Sequence, residues 1–330
     1  MASQGLSARR APGAVALALI AFAVALAAGS PADAAHRVRE KQINLDIARR
    51  VQTRLAAAGI PVVMTRTTDR TMSLGSRTAI ANARRADVFV SIHNNASRSR
   101  SAAGSEVYHQ IRGGASKVLG RAILRELAQS PGLRSTLHAR RGDHGDYYYV
   151  LRNTKMPAVI VEGAYVSNPR EARLLAKASF RQKLADAIAN GILAYQRTLT
   201  AKPLPSMITP TRVTVPALPS PGAVAGAAIN SRTVALSWET TPLASAYNVY
   251  RDGTLIGTIG SDLLSTGRLA FTDIWAAPGQ LYHYEIAAAN SVTDIAIEST
   301  PARLSVRTPS IFVVLDAGHG GRDPGAIGSY

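Results

Sequence analysis

The sequence contains no cysteine, so disulfide bonds, thiolate nucleophiles and thiolate metal ligands are all excluded. Acidic residues are scarce: 21 aspartates and glutamates stand against 38 lysines and arginines, which gives a formal net charge of +17. Such an excess favours a polyanionic partner, although charge kept for solubility remains an alternative. Hydrophobic residues make up 46% of the 330 positions, enough for a packed core, and the length suggests about two domains.

Long hydrophobic runs are also absent, except near the N-terminus. Residues 1–34 predict a secretory signal peptide: Arg9 and Arg10 form a positive segment, residues 14–28 an apolar segment, and residues 32–34 a small-residue cleavage site. An uncleaved membrane anchor is less favoured, because the apolar run is shorter than the roughly 20 residues of a spanning helix. Cleavage would leave 36 basic and 20 acidic residues, a net charge of +16.

We therefore expect an exported protein that acts in a cell wall, in a periplasm or outside the cell. No nucleic-acid-binding motif is present, and nucleic acid is an unsuitable target for an exported protein. An anionic cell wall or membrane surface suits the positive charge better.

Residues 35–199 alternate between apolar strands and helical segments, which predicts an α/β unit. Its sheet is expected to be mostly parallel, with helices on both faces. The predicted strands span residues 60–65, 87–92, 105–110 and 158–161. The predicted helices span residues 43–58, 74–86, 115–129 and 169–196.

Residues 200–222 hold six prolines and no helical period, which predicts a linker. Residues 223–308 then show short strand-like segments, typical of a small all-β sandwich. This part resembles a fibronectin type III module, with Trp238 at the position of its strand-B tryptophan and Tyr282 at that of its tyrosine corner. The resemblance implies a spacer or binding module without a catalytic site.

The last twenty residues return to the α/β pattern. Residues 311–315 predict a buried strand, and a glycine-rich loop with His319 follows. His93 and Glu162 likewise follow predicted strands, so these side chains should lie along one edge of a sheet. With Glu40, they provide two imidazoles and two carboxylates. Two imidazoles and one carboxylate form a common catalytic zinc site, and a second carboxylate can act as general base. From position alone, ordinary polar loop residues remain the alternative.

Five segments strengthen the metal hypothesis: Val314–Ala326, Glu40–Leu45, Thr65–Asp69, Ser91–Ala96 and the block 150–169. Together they resemble the motifs of the zinc-dependent N-acetylmuramoyl-L-alanine amidases, the amidase 3 family. The resemblance implies zinc bound by His319, Glu40 and His93, with Glu162 as the catalytic acid/base. It also implies peptidoglycan as substrate, cleaved at the amide between N-acetylmuramic acid and the L-alanine of the stem peptide.

The order of the motifs departs from that family, because the first motif comes last in this chain. If the ends are joined in thought, His319 and Glu40 become 17 positions apart, the length of a single loop. We therefore predict a circular permutation in which residues 311–330 supply the first strand and ligand loop of the amidase domain. The alternatives are a fragment of a tandem-amidase gene and strand exchange between chains, in which a dimer replaces the expected monomer.

Two other functions remain open: a catalytically inactive wall-binding or regulatory protein on an amidase scaffold, and a zinc peptidase acting on stem peptides. Asn95 and Arg66 are expected to fix loops rather than contact substrate, and Asp316 either to orient His319 or to cap its turn. The polar stretch with His138, Asp143, His144 and Asp146 is expected to be an exposed loop, with a loop that lines the substrate groove as the alternative; Arg140 and Arg141 should face solvent.

Overall fold

The computed structural model describes residues 37–129, 143–146, 148–199, 211–214, 218–260, 267–292 and 295–329. The predicted signal peptide lies outside these residues, and so do His36, His138, Arg140, Arg141 and Tyr330. The six helices of the described residues are α1 (Glu40–Ala57), α2 (Leu74–Ala83), α3 (Ala115–Gln129), α4 (Tyr149–Asn153), α5 (Pro169–Ala176) and α6 (Ala178–Thr198). None of them is long and apolar enough to cross a membrane.

The strands of the described residues fall into two groups along the chain. Those before the sandwich region are β1 (Arg37–Arg39), β2 (Val62–Met64), β3 (Val88–Asn95), β4 (Glu106–Gln110), β5 (Asp143–Asp146) and β6 (Ala158–Tyr165). Those of residues 211–329 are β7 (Thr211–Thr214), β8 (Gly222–Asn230), β9 (Thr233–Glu239), β10 (Ala246–Arg251), β11 (Thr254–Gly260), β12 (Arg268–Asp273), β13 (Leu281–Val292), β14 (Ile295–Glu298), β15 (Ala302–Arg307), β16 (Val313–Ala317) and β17 (Ile327–Ser329).

A six-stranded sheet in the order β2-β16-β3-β6-β4-β5 forms the centre of the α/β unit. Its pairs are parallel except β4 with β6, which is antiparallel. Successive residues of a strand face opposite sides of the sheet. Val313 and Leu315 therefore pack into the core shared with α1, α3, α5 and α6, whereas Val314 packs into a second core with α2 and α4. The predicted α/β architecture, with helices on both faces, is confirmed.

Strand β16 comes from the end of the sequence but lies inside the sheet, between β2 and β3. Val313, for example, is opposite Val62 on one side and Val88 on the other. All five residues of β16 are buried, as expected for a central parallel strand. A buried strand is present as expected, but it spans Val313–Ala317 and is thus shifted by two residues from the expected 311–315. It lies in the same sheet as strands of residues 35–199.

A two-stranded antiparallel ribbon joins the first and last described segments of the chain. Arg37, Val38 and Arg39 of β1 lie opposite Ser329, Gly328 and Ile327 of β17. Val38 and Gly328 point inward, and their neighbours on each strand are exposed. The ribbon therefore brings the residue before Glu40 beside the loop that follows His319.

Three parts of the chain differ from the sequence-based expectation. The helix predicted over residues 169–196 is divided at Lys177, whose extended backbone (φ −82°, ψ 124°) separates α5 from α6. Residues 143–146 are an edge strand, β5, rather than a loop. Residues 211–214 of the predicted linker form β7, which pairs in parallel with β14.

The sandwich places the sheet β12-β9-β8 against the sheet β11-β10-β13-β14-β7, in which β15 also pairs with β13. Trp238 is fully buried in the core between them. The hydroxyl of Tyr282 accepts a hydrogen bond of 2.7 Å from the backbone N–H of Ala277, five residues upstream. The predicted small all-β domain is thus present.

The sandwich contacts the α/β unit at the start of β3, at the opposite end of that strand from His93. Ser231 donates to Asp87 Oδ1 at 2.6 Å, and the backbone N–H of Phe312 donates to Asp87 Oδ2 at 2.7 Å. Asp87 therefore links the sandwich to the segment that leads into β16, and it does so away from the edge at which the candidate site residues lie.

Candidate metal centre

The candidate centre lies at the carboxyl ends of β16 and β3. These neighbours are parallel and in register, with Asp316 opposite Ser91 and Ala317 opposite Ile92. The backbone N–H of Gly318 continues the pairing by donating to Ile92 O at 3.0 Å. His319 and His93 therefore lie side by side at this edge of the sheet. Both face Glu40, the first residue of α1.

Three ligand-type atoms converge at this position. His93 Nδ1 and His319 Nε2 each lie 3.2 Å from Glu40 Oε1. One donor atom from each of the three residues lies within 4.8 Å of the other two. The imidazole rings are 5.0 Å apart at an interplanar angle of 78°, so they do not stack face to face. The structure thus brings together His319, Glu40 and His93, the three predicted ligand residues.

Glycines around His319 allow this close approach. A Cβ on Gly318 would lie 2.1 Å from the His93 ring, and one on Gly325 would lie 2.6 Å from Glu40 Oε2. His319 itself has a left-handed backbone (φ 59°), which is strained for a residue with a side chain. The loop is therefore folded into an unfavourable conformation that aims the imidazole at Glu40.

The Glu40 carboxylate is buried and held on both oxygens. Backbone N–H groups of Ala326 and Asn94 donate to Oε2 at 2.9 Å and to Oε1 at 3.2 Å, and Asn44 Nδ2 donates to Oε1 at 3.1 Å. Burial alone would raise the pKa of Glu40. The hydrogen bonds and charges of His319 and His93 outweigh burial and hold this pKa well below its usual range.

His319 is oriented by a second carboxylate, that of Asp323. His319 Nδ1 lies 2.8 Å from Asp323 Oδ2, which leaves Nε2 facing Glu40. Burial lowers the pKa of His319, but the hydrogen bonds and charges of Glu40 and Asp323 raise it to about 9. A carboxylate behind a ligand histidine is a recurrent arrangement in metal sites, because it fixes the ring and makes the free nitrogen a better donor.

Glu162 lies next to His93 in the register of the parallel pair β3–β6. Its Oε2 is inaccessible to solvent and has no hydrogen-bond partner among the described residues. Burial raises the pKa of Glu162 to about 7; the nearby histidines act in the opposite direction, and the charge of Glu40 adds to the rise. Glu162 does not belong to the group of three convergent ligand residues. It is a separate carboxyl group beside them, with a pKa suited to proton transfer near neutral pH.

The donor set fits Zn²⁺, which binds imidazole nitrogens and carboxylate oxygens and in catalytic sites takes three protein ligands with one open position. The orphaned carboxylate oxygen of Glu162 beside the three donors is the group that such an open position needs as a proton acceptor. The residues therefore fit a catalytic zinc centre.

Other predicted residues have structural roles. Arg66 is fully buried and donates hydrogen bonds to backbone carbonyls, as expected for a residue that fixes loops. Asn95 Nδ2 donates to Glu106 Oε2 at 3.1 Å and so links two strands, and Asn95 also lines a cavity; its expected separation from substrate stays a prediction. Both expectations for Asp316 were wrong. Its carboxylate accepts hydrogen bonds from Thr65, Ser91 and Arg77 at 2.5–2.7 Å. It lies beneath the centre and anchors β16 to its neighbours.

A cavity of about 460 Å³ opens beside Glu106 and Asn95. Glu106 lies opposite Glu162 in the antiparallel pair β4–β6, so the cavity adjoins the candidate centre. Its wall also includes Gly145 and Asp146 of β5. The polar stretch around Asp146 thus lines a groove beside the centre, although as a strand rather than a loop. The side chains of Asp143 and His144 lie outside the description.

Sequence analysis missed Asp323, Arg77 and Glu106. Asp323 carried a usable signal, an acidic residue four positions after a candidate ligand histidine in a glycine-rich loop. Arg77 lies within a helix and Glu106 within a strand, and neither has a sequence context that distinguishes it from a surface residue. Only the folded chain places Arg77 under Asp316 and Glu106 beside Glu162.

Comparison with known proteins identifies the class to which this α/β unit belongs. Residues 27–194, half of the chain, match the family Amidase_3, N-acetylmuramoyl-L-alanine amidase. The chain belongs to this family. The matched range includes Glu40, His93 and Glu162 but not the C-terminal segment that carries His319.

Individual relatives match about half of the chain. The chain is 40% identical over 160 residues to the N-acetylmuramoyl-L-alanine amidase LytC of Bacillus subtilis, and this match covers 48% of this chain and 31% of LytC. It is 35% identical over 209 aligned residues to the amidase AmiC of Neisseria meningitidis, and this match covers 50% of this chain and 49% of AmiC. The chain thus spans 31% and 49% of the length of these two curated relatives.

Solved structures give matches of similar extent. The catalytic domain of the amidase CwlV of Paenibacillus polymyxa matches at 34% identity and a TM-score of 0.44, over 48% of this chain and 85% of that one. The amidase AmiC2 of Nostoc punctiforme matches at 31% identity and a TM-score of 0.45, over 48% and 84%.

Proposed function

We propose that this chain is a zinc-dependent peptidoglycan hydrolase that cleaves the amide between N-acetylmuramic acid and the L-alanine of the stem peptide. One observation carries the proposal: Glu40, His93 and His319 converge within 4.8 Å, in a chain of the amidase family, and Glu162 lies beside them. The three residues come from distant parts of the sequence, so their convergence is unlike a chance cluster on one loop.

In this proposal Glu40, His93 and His319 are the metal ligands. Zinc bound there supplies Lewis-acid polarisation of the scissile carbonyl and of the attacking water at neutral pH. Asp323 fixes the ring of His319, and the backbone N–H groups of Ala326 and Asn94 fix the carboxylate of Glu40.

Glu162 carries the proton in both halves of the reaction. Its carboxylate accepts a proton from water as the oxygen attacks the lactyl carbonyl carbon. The same proton then passes to the nitrogen of L-alanine as the C–N bond breaks. The lactyl group is left as a carboxylic acid and the stem peptide as a free amine. A pKa of about 7 suits both transfers.

The remaining parts of the chain support an envelope function. The polar cavity beside Glu106 and Asn95 adjoins the centre and would receive the stem peptide. The net charge of +17 favours an anionic wall. We further propose that residues 1–34 direct export and that the protein acts outside the cytoplasm.

The domain organisation follows from the same proposal. Residues 35–199 and 311–330 form one circularly permuted amidase domain, with residues 200–222 as its linker. Residues 223–308 are a fibronectin type III-like module. The pairing of β1 with β17 and the position of β16 within the sheet support the permutation, and Trp238 and Tyr282 support the module.

The test combines metal analysis with product analysis. We expect one zinc per chain, loss of peptidoglycan clearing after chelation, and its recovery when zinc is restored. The digest should contain new alanine amino termini and glycan strands without peptide. Zinc binding without any clearing would indicate a wall-binding protein. New amino termini from other residues would indicate a peptidase.

A further inference from the structure

We propose that Arg66 is the positioning residue that sets the distance between Glu40 and His319 and thereby determines the metal affinity of the centre. The inference rests on the proposed metal site but not on the proposed substrate. A single nitrogen, Arg66 Nη2, donates to Lys41 O at 2.8 Å and to Gly318 O at 2.9 Å. These carbonyls belong to the residues directly after Glu40 and directly before His319.

The other guanidinium nitrogens continue the same pattern. Arg66 Nε donates to Ala317 O at 2.8 Å, and Nη1 donates to Thr68 O at 3.1 Å. All four hydrogen bonds of Arg66 therefore end on backbone carbonyls, and two of them end on the segment that leads into His319. The planar, five-donor group suits this role because its donors point in fixed directions.

The surroundings of Arg66 indicate that its hydrogen bonds to these carbonyls have a role beyond packing. Its side chain is fully buried, and no described residue forms an ion pair with it. Asp316, the carboxylate nearby, is instead paired with Arg77 at 2.5 Å. Burial lowers the pKa of Arg66 and the neighbouring charge of Arg77 lowers it further, whereas the charges of Asp316 and Asp69 act in the opposite direction. A buried guanidinium without a directly paired carboxylate is costly, and the carbonyls that accept its hydrogen bonds offset part of that cost. Three of these four carbonyls, those of Lys41, Ala317 and Gly318, belong to the ligand-bearing segments.

A second donor acts on the same two segments. Asn44 Nδ2 lies 3.1 Å from Glu40 Oε1 and 3.3 Å from Gly318 O. The spacing between the two chain segments is thus defined by a guanidinium and an amide, both buried. Arg77 differs from Arg66 in this respect, because it contacts the β16 side through Asp316, Ala317 O and His319 O but makes no hydrogen bond to α1.

The test is the zinc affinity of two variants, Arg66→Lys and Arg66→Met, measured by calorimetry or chelator competition. Lysine keeps the charge but cannot reach both carbonyls from one planar group; methionine removes the charge together with the cost of burying it. We expect each folded variant to bind zinc about 10- to 100-fold more weakly, as is typical when groups that orient ligands are lost. Unfolding of the metal-free variants is measured in parallel.

Arg251→Lys is the matched control. Arg251 is also buried, but it pairs with Asp273 inside the sandwich. Its replacement should lower stability and leave zinc affinity within about twofold. A folded Arg66 variant with wild-type affinity would overturn the inference, and so would failure of both variants to fold without zinc, which would make Arg66 a folding residue. Absence of zinc binding by the unaltered protein would overturn the proposed function as well.

Discussion

Glu40 and Glu162 are the same residue type and both lie beside His93, yet their surroundings shift their pKa values in opposite directions. Both are buried, which raises the pKa of a carboxyl group. For Glu40 the hydrogen bonds from His319 and His93 outweigh burial and lower the pKa, whereas Glu162 Oε2 has no such partner and its pKa rises to about 7. This separation supports the proposed ligand role of Glu40 and the proposed proton-transfer role of Glu162.

Replacement of Glu162 by Gln tests that assignment. The amide is nearly isosteric but cannot accept a proton, and Glu162 is not among the three convergent donors. We expect zinc content equal to that of the wild type, and turnover reduced by about 10²- to 10⁴-fold, the usual contribution of general acid–base catalysis. Zinc analysis and release of amino termini from peptidoglycan measure the two quantities. Retained turnover would exclude the role.

The raised pKa of His319 gives a prediction for metal binding. Without metal, His319 is protonated below about pH 9, and zinc must displace that proton. The apparent affinity should therefore rise about tenfold per pH unit between roughly pH 7 and 9 and then level off. Titration in chelator-buffered zinc at several pH values measures this slope.

Asp323→Asn is the companion variant for this measurement. Asp323 helps to raise the pKa of His319, so its replacement should lower the pH at which the zinc affinity levels off. An affinity that does not change with pH over this range would show that His319 gives up no proton when zinc binds.

At this scale the sequence identified the residues that carry ligand-type side chains at strand ends or in family motifs, although it missed Asp323 and misjudged Asp316 within one of those motifs. His93, His319, Glu40 and Glu162 were found in this way, and the structure brings them together. Arg77 and Glu106 were not found, because the local sequence around a charged residue within a helix or strand does not show whether that residue is buried. Its partner is defined only by tertiary contacts.

Among the secondary-structure elements, the long apolar or periodic segments were predicted well. Helix α3 has the predicted bounds, and β3 and β6 are longer than predicted because both continue past their apolar residues into the candidate site. The division of the helix at Lys177 could not be foreseen, since no glycine or proline marks it. The short strands β1, β5, β7 and β17 are formed by pairing with distant segments, and strand preference depends strongly on such context.

The ribbon of β1 and β17 yields a prediction at the scale of an element. A Cβ on Gly328 would lie 1.9 Å from the backbone oxygen of Val166, which cannot move as a flexible side chain would. Gly328→Ala should therefore lower the free energy of unfolding by about 1–3 kcal/mol, the usual effect of overpacking. Chemical denaturation measures the change.

Gly260→Ala provides the matched comparison, because no atom lies within 4 Å of the position that its Cβ would take. Its effect should stay within about 0.5 kcal/mol. Equal stability of the two variants would mean that the ribbon does not pack against Val166 in solution.

For the whole molecule, the question is whether one chain completes its own centre. The structure places β16 in the sheet of the same chain, and Glu40 N donates to Ala326 O at 3.0 Å. We expect zinc binding and turnover to belong to monomers. The sequence predicted this closure from the complementary motifs at the two ends. Motifs alone could not distinguish it from exchange between chains, because both satisfy the same pairings.

Mixing two inactive variants separates these cases. Glu40→Ala chains and His319→Ala chains each lack one ligand. If every chain uses its own C-terminal segment, a mixture refolded together should be as inactive as its components. Light scattering gives the mass of the species in the mixture. Recovery of activity in a dimer would show that the C-terminal segments exchange.

The position of His319 in the sequence also has a consequence for biosynthesis. The ribosome makes Glu40 early and His319 roughly 280 residues later, about 15 to 55 s at ordinary bacterial or eukaryotic elongation rates. During that interval the nascent chain carries two of the three donors and lacks a strand from the middle of its sheet. Translation thus delays assembly of the candidate centre until residue 319 has been made, and ribosome-arrested chains that stop before residue 319 should bind no zinc there.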